Sequence, residues 1–341
     1  MKVEELKYNL GGENIASAPR EVRLGHRDLG RMLVVDRQQR TQRHSFVRAL
    51  PELLAPGDVL VLNNSKRIPG LLKAYVDHND AQVEVQFVHY EENNSALCRI
   101  YPAHHVVPGV RIRAGEHVFE VAKDHIAPND LCLVRAMNTT LTDILKAEGY
   151  PITSFFYSRY WEVEYLNPCY SSEEGAIESP LAGLHFTPQL LADLSAAGVG
   201  IAYVTLHSVG SWLPFLEDDI EEHVVNKEWF DMPAASADMI NAAKQRKNKV
   251  IACGSTAMRA VESAVKDGLV RSMQEHSDLY IRPGHTFQVV DHYFTNFHPY
   301  RTSLMVLDAA FCGKDLLLES YAVAKREHYL FFEFGDAILY L

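Results

Sequence analysis

The chain has 341 residues, 47% of them hydrophobic and 23% charged, with a net charge of −11. A single core stops growing at about 250–300 residues, so two domains, or one domain with an insertion, are expected. The acidic balance argues against tight non-specific binding of nucleic acid. The five cysteines, Cys98, Cys132, Cys169, Cys253 and Cys312, form no C-x-x-C pair, which excludes a zinc ribbon of the usual spacing and argues against a disulfide framework.

A reducing compartment fits those cysteines. The first seven residues lack the apolar stretch of a signal peptide, and no run reaches the roughly 18 apolar residues of a membrane span. A cytoplasmic protein without a membrane partner is expected.

Residues 32–35 read as a strand, and a helical segment ends near Leu54. The turn at 55–58 leads into Val59-Leu60-Val61-Leu62, a continuous apolar run bounded by turn residues and hence a buried strand. Asn63, Asn64, Ser65, Lys66 and Arg67 follow it, where open α/β sheets place ligand contacts.

From 68 to about 135 the pattern changes to short strands at close spacing, such as Val83, Val85 and Phe87 alternating with Glu84, Gln86 and Val88, with turns at Pro108-Gly109 and Ala114-Gly115. A small all-β sandwich or barrel is expected there, inserted into an α/β domain. A helix over 141–148 leads the chain back. The expected division is 1–67 with 151–341 as the α/β domain, and 68–150 as the insertion.

Strands and helices alternate from Ser179 onward. Helices are expected at 189–197, 237–247, 256–265 and 304–310. Strands are expected at 201–207, 249–253, 279–281, 286–290 and near 331–334. This alternation predicts a mixed sheet with flanking helices. Thr187-Pro188 is a strong helix start, with Thr at the cap and Pro at the first turn. It places His185 and Phe186 beside a helix N-terminus, which favours anionic groups.

Four polar clusters lie just past predicted strands. They are the residues after Asn63; Thr205 and His207 with the apolar turn at 210–214; Gly254, Ser255 and Thr256, with Arg259 and Glu262 on the next helix face; and Thr295, Asn296, Phe297 and His298. His223 stands in a fifth polar stretch, 222–228. Several clusters converging at one sheet edge indicate a site. No histidine pair has metal-motif spacing, and neither a dinucleotide fingerprint nor a P-loop is present, so no metal is expected.

These stretches resemble the S-adenosylmethionine:tRNA ribosyltransferase-isomerases of queuosine biosynthesis along nearly the whole chain. The matching runs include 31–36, 56–63, 182–187, 205–207, 252–256, Arg259, 262–263, 283–284, 290–291 and 295–298. The resemblance implies an α/β domain interrupted by a β-barrel. It also implies transfer of the ribosyl group of S-adenosylmethionine to a 7-aminomethyl-7-deazaguanine base in tRNA, with rearrangement of the sugar and loss of adenine and methionine. S-adenosylmethionine is then a substrate, and no separate cofactor is expected. The sulfonium acidifies the neighbouring C5′ hydrogens, so the reaction needs a general base, and adenine departure needs an acid.

On that resemblance His185, His207 and His298 are the expected catalytic residues. Gly254, Ser255, Thr256 and Arg259 are expected to hold the amino-acid end of the donor, and Thr295 and Asn296 its ribose or base. Asn63, Lys66, Arg67, Gly183, Phe186, Thr187, Thr205, His223, Glu262 and Phe297 complete the expected binding set.

The chain departs from the usual family pattern at Asn64, Leu181, Asn226 and His285, and in the run 151–156. These departures mark a divergent member. The alternatives are a paralogue that uses S-adenosylmethionine on a small acceptor, or a silent S-adenosylmethionine-binding protein.

Overall fold

The computed structural model describes residues 1–91, 93–126, 131–152, 161–208, 214 and 217–341. The apolar turn at 210–213 and the positions 153–156 lie outside the described residues. The chain forms two compact units. Met1–Lys66, Phe155–Glu173 and Ser179–Leu341 make the first, and Arg67–Ser154 with Glu174–Glu178 the second.

The first unit is built on a nine-stranded sheet. Its strands, numbered along the chain, are β1 (Arg31–Asp36), β2 (Thr41–Phe46), β3 (Val59–Asn63), β4 (Gly200–Leu206), β5 (Glu228–Met232), β6 (Val250–Cys253), β7 (Met273–Ser277), β8 (His292–Asn296) and β9 (Ala337–Tyr340). The order across the sheet is β7-β5-β4-β3-β6-β8-β9-β1-β2. The four central strands β4, β3, β6 and β8 run parallel, and β5, β7, β9 and β2 each pair antiparallel to a neighbour.

Every residue of β3 is buried because both faces of the sheet are covered. Val59 and Val61 point into one core with the helices Ala234–Gln245, Gly254–Ser263, Ser303–Cys312 and Lys314–Arg326. Leu60 and Leu62 point into the other, with Phe186 and the helix Pro188–Ala196. Two-sided burial is why the sequence of β3 shows no polar alternation.

Thr187 caps the helix Pro188–Ala196, its Oγ1 accepting from the Leu190 N–H at 3.1 Å. Two expected strands are not ladders. Residues 279–281 and 286–290 are irregular, and pairing resumes only at His292. The backbone N–H groups of Gln288, Val289 and Val290 donate instead to the buried carboxyl of Glu262, at 2.9, 3.1 and 3.0 Å. The expected last strand near 331–334 is a turn region as well. Gly335 sits so close to the Leu330 carbonyl that a Cβ there would come within 2.4 Å of it, and the strand runs from Ala337.

In the second unit six antiparallel strands close on themselves. Their order is Leu71–Val76, Gln82–Glu91, Ser95–Tyr101, Leu131–Ala136, His117–Ile126 and Arg111–Ala114, which pairs back to the first through Tyr75 with Arg113 and Val76 with Ile112. Ala74, Val83, Val85, Phe87, Phe119, Val121 and Val134 are buried. A register shift between Phe87 and His89 accompanies the burial of Val88, which strict alternation would have turned outward. The fold is therefore mixed α/β with a closed antiparallel barrel.

Candidate active site

The parallel strands β4, β3, β6 and β8 end on the same side of the first unit. Their carboxyl ends bring together Asn63, Ser65, His207, Ser255, Thr256, Asn296 and His298, the position at which open α/β sheets carry their sites. A small cleft opens there, lined by Ser208, Ser255, Thr256, Arg259, Tyr280 and Ser303, among others. No group of three or more His, Cys, Asp or Glu among the described residues is arranged to hold a metal.

Asn63 ties this edge together. Its Nδ2 donates to the Leu206 carbonyl at 3.0 Å and to Thr256 Oγ1 at 2.9 Å, and its Oδ1 accepts from the Ser65 and Leu206 N–H groups at 3.0 Å each. All four of its hydrogen-bonding positions are used within the protein. Thr205 Oγ1 donates to Asn64 Oδ1 at 2.7 Å, so the departure at Asn64 serves the same lattice.

The three expected catalytic histidines differ in what they have available. His185 is fully buried, and its Nε2 accepts from the Arg20 guanidinium at 2.8 Å. Arg20, itself buried, also donates to the Gly335 carbonyl at 2.6 Å. Burial, reinforced by the Arg20 charge, holds the His185 pKa well below its ordinary value. Its one lone pair is occupied, so it can only donate, through Nδ1–H.

His207 is half-buried, stacked on Trp229 with ring centroids 5.1 Å apart, and its Nδ1 lies 2.7 Å from Ser65 Oγ. Burial pushes its pKa down to about 4, against an opposing pull from Glu173. It is neutral at pH 7. His298 follows β8. Its Nδ1 donates to Asp308 Oδ2 at 2.8 Å, and its Nε2 faces Thr295 Oγ1 at 3.4 Å. The Tyr321 hydroxyl donates to the same Asp308 oxygen at 3.0 Å. His298 thus has a fixed tautomer with a basic nitrogen.

Arg259 reaches across from the helix Gly254–Ser263 to bind the Glu228 carboxyl and the Leu279 carbonyl, the latter at 3.1 Å. It also donates to the carbonyls of Asn226 and Ser277 at 3.4 and 3.3 Å. It therefore shapes the cleft wall while its charge is offset by Glu228. His223 packs edge-on to Tyr280 and lies 3.4 Å from Glu217. Asn296 Nδ2 donates to the Phe332 carbonyl at 2.9 Å, and Phe297 sits in a buried cluster with Tyr321, Tyr329 and Phe331.

The remaining expected residues have the following surroundings. Arg67 belongs to the second unit, where it donates to the Ile152 carbonyl. Lys66 is half-buried at the end of the first unit. Phe186 lies in a buried apolar cluster, and Leu181 packs against another that includes Trp161 and Leu184. His285 Nε2 lies 3.8 Å from Glu262. Glu262 itself is structural, since it accepts from the buried N–H groups of Val289 and Val290 and from the part-buried N–H of Gln288. Glu262→Ala is expected to lower stability by about 3–5 kcal/mol, because each buried donor left unpaired costs about 1–3 kcal/mol. Urea unfolding with an unchanged m-value checks this.

Gly183 is set by packing. A Cβ there would come 2.3 Å from the Tyr170 hydroxyl and 2.8 Å from Pro168 Cγ. Gly183→Ala is expected to destabilise by about 1–3 kcal/mol through overpacking. Adding Tyr170→Phe, which removes the nearest atom but leaves Pro168 Cγ, should recover part of the lost stability in thermal unfolding. No recovery would place the strain elsewhere.

The sequence placed Ser65 in the polar run after β3 without giving it a role, and it did not point to Arg20 or Asp308 as site residues. Asp308 was detectable as the one charged residue in the apolar helix Ser303–Cys312.

A family model described as queuosine biosynthesis protein matches residues 3–340. The chain belongs to this family. It is 34% identical to the S-adenosylmethionine:tRNA ribosyltransferase-isomerase of Natranaerobius thermophilus over 99% of both chains. It is 34% identical to the one from Moorella thermoacetica over the full length of both. The crystal structure of S-adenosylmethionine tRNA ribosyltransferase from Thermotoga maritima is 28% identical and covers 99% of this chain and 100% of its own, with a TM-score of 0.57. The queuosine biosynthesis family members that the chain matches from end to end are thus transferase–isomerases, and no described helix is long and apolar enough to cross a membrane.

Proposed function

We propose that the protein transfers and isomerises the ribosyl group of S-adenosylmethionine onto 7-aminomethyl-7-deazaguanine in tRNA, giving epoxyqueuosine-tRNA, adenine and methionine. The observation that carries this reading is the end-to-end match to relatives of that name. The polar strand ends and the cleft beside them are where the donor binds. Ser255 and Thr256, at the start of the helix Gly254–Ser263, suit the donor carboxylate, since backbone N–H groups face outward there.

His298 takes the role of base toward the acidified C5′ hydrogen. Its Nδ1–H is bonded to Asp308, and its Nε2, held only by a long 3.4 Å contact with the Thr295 hydroxyl, is the nitrogen that takes the proton. His207, neutral and paired with Ser65, is the second proton-handling group. His185 acts as a core donor. Thr295 and Asn296 frame the ribose.

The test is incubation with S-adenosylmethionine and tRNA carrying the 7-aminomethyl-7-deazaguanine base, followed by assay of adenine and methionine. Release that depends on the tRNA is the expected result. Release that proceeds equally without tRNA, or none with it, would overturn the reading.

A further inference from the structure

We infer that the exposed edge strand β2 and the turn after it, with Arg43, Phe46 and Arg48, form the surface that receives the tRNA phosphate backbone. This rests on the proposed tRNA acceptor.

Residues 20–48 carry eight arginines against three acidic residues, in a chain whose net charge is −11. Most of the inner arginines donate to main-chain carbonyls: Arg23 to Ala18 and Phe334, Arg31 to Glu327, Arg37 to Phe311 and Asp291. A carbonyl satisfies a guanidinium without cancelling its charge, so the segment stays electropositive. Arg43 and Arg48 are exposed, and Phe46 is 51% exposed. Arg48, with half its side chain exposed, meets the largely covered carboxyl of Asp28 only at 3.4 Å, a long contact that leaves most of its guanidinium open to a phosphate.

The register of the sheet sets where this strip lies. Asn296 pairs with Ala337, Ala337 with Met32, and Met32 with Ser45. The end of β2 is therefore level with the carboxyl end of β8, three strands away, or about 14 Å at the usual strand spacing of about 4.8 Å. The other flank of the cleft is unsuited to nucleic acid. Glu217, Asp218, Asp219, Glu221 and Glu222 crowd one loop there, with Arg301 and Arg282 bound to its carbonyls. The second basic run, 244–249, precedes β6 and so lies at the opposite end of the sheet.

Charges on an edge strand also discourage pairing between copies of a protein. The two roles separate experimentally. tRNA binding by the intact protein is measured across a salt series for wild type, for Arg43→Gln/Arg48→Gln, and for Arg246→Gln/Lys247→Gln at the far end, with S-adenosylmethionine binding as the folding control. The first variant should bind tRNA at least tenfold more weakly at 0.1 M salt. Its slope of log affinity against log salt should be shallower by about 2, at about 0.9 per phosphate contact. The second should match wild type. Equal behaviour of all three, equal weakening by both variants, or a change only in oligomeric state overturns the surface. Wild-type protein that neither binds tRNA nor releases adenine with it overturns the acceptor reading itself.

Discussion

Asp308→Asn is expected to lower kcat by about 10²–10⁴-fold, the range that general base catalysis contributes, with S-adenosylmethionine binding retained. Asp308 is a positioning residue. Its Oδ2 accepts the His298 Nδ1–H at 2.8 Å and thereby keeps the electron pair on Nε2. Asparagine has nearly the same shape, but it can offer an N–H to Nδ1. That would select the opposite tautomer and put a proton on Nε2, where the base must be free.

His298→Gln should show a loss of similar size, and the double variant should lose little more than either single one, because the two side chains act as a unit. Tyr321→Phe removes a second hydrogen bond to the same Asp308 oxygen, 3.0 Å long, and the hydroxyl that accepts the His298 backbone N–H at 2.8 Å. It keeps the His298–Asp308 bond and the tautomer, so it should cost stability and lower kcat far less than Asp308→Asn. Nitrogen NMR of the histidine ring reports the tautomer directly. An Asp308→Asn enzyme with near wild-type kcat, or with an unchanged His298 tautomer, would remove Asp308 from this role.

The central strand was legible because its residues leave no alternative. Val59 to Leu62 is apolar on both faces, which only a sheet covered on both sides requires. The start of the helix at Pro188 was legible because Thr187 and Pro188 act locally, within one turn. The gathering of polar residues at strand ends could be read because each cluster follows its own strand directly.

What escaped the sequence depends on distant partners. Arg20 and His185 are 165 residues apart, and nothing near either shows that one occupies the lone pair of the other. Residues 286–290 have the apolar, β-branched character of a strand. They form no ladder because Glu262, on a different element, takes their N–H groups. Asp308 lies in a helix whose other residues read as core, and its meaning appears only when the turn after β8 brings His298 beside it. The departures from the family pattern also look different in three dimensions. Leu181 packs against the buried cluster of Ala16, Trp161, Leu166, Leu184 and Phe334, and Asn64 bridges Thr205 and Ser172 at 2.7 and 3.1 Å. Both positions hold structure together.

Acidification from pH 7 to pH 4.5 is expected to destabilise the fold steeply, by about 2–3 kcal/mol per pH unit near pH 5, since each histidine that protonates only on unfolding contributes up to about 1.4 kcal/mol per unit. Burial lowers the pKa of His185 far below its ordinary value and that of His207 to about 4. His223 and His292 are lowered in the same direction by partial burial. In the unfolded chain these rings take up protons near pH 6.5. Below that pH the unfolded state binds more protons than the native state, so stability rises with pH and is lost as pH falls from 6.5 toward the native values. Burial of Asp336 raises its pKa and works in the opposite direction, but it is a single group against four.

Urea unfolding at pH 7, 6, 5 and 4.5 gives the slope. His207→Gln should flatten it by up to about 1.4 kcal/mol per unit, reduced somewhat because His207 keeps partial solvent contact. A stability that is level between pH 7 and 5 would mean that these rings are solvated in the native state. The neutral His207 proposed beside the cleft would then not exist.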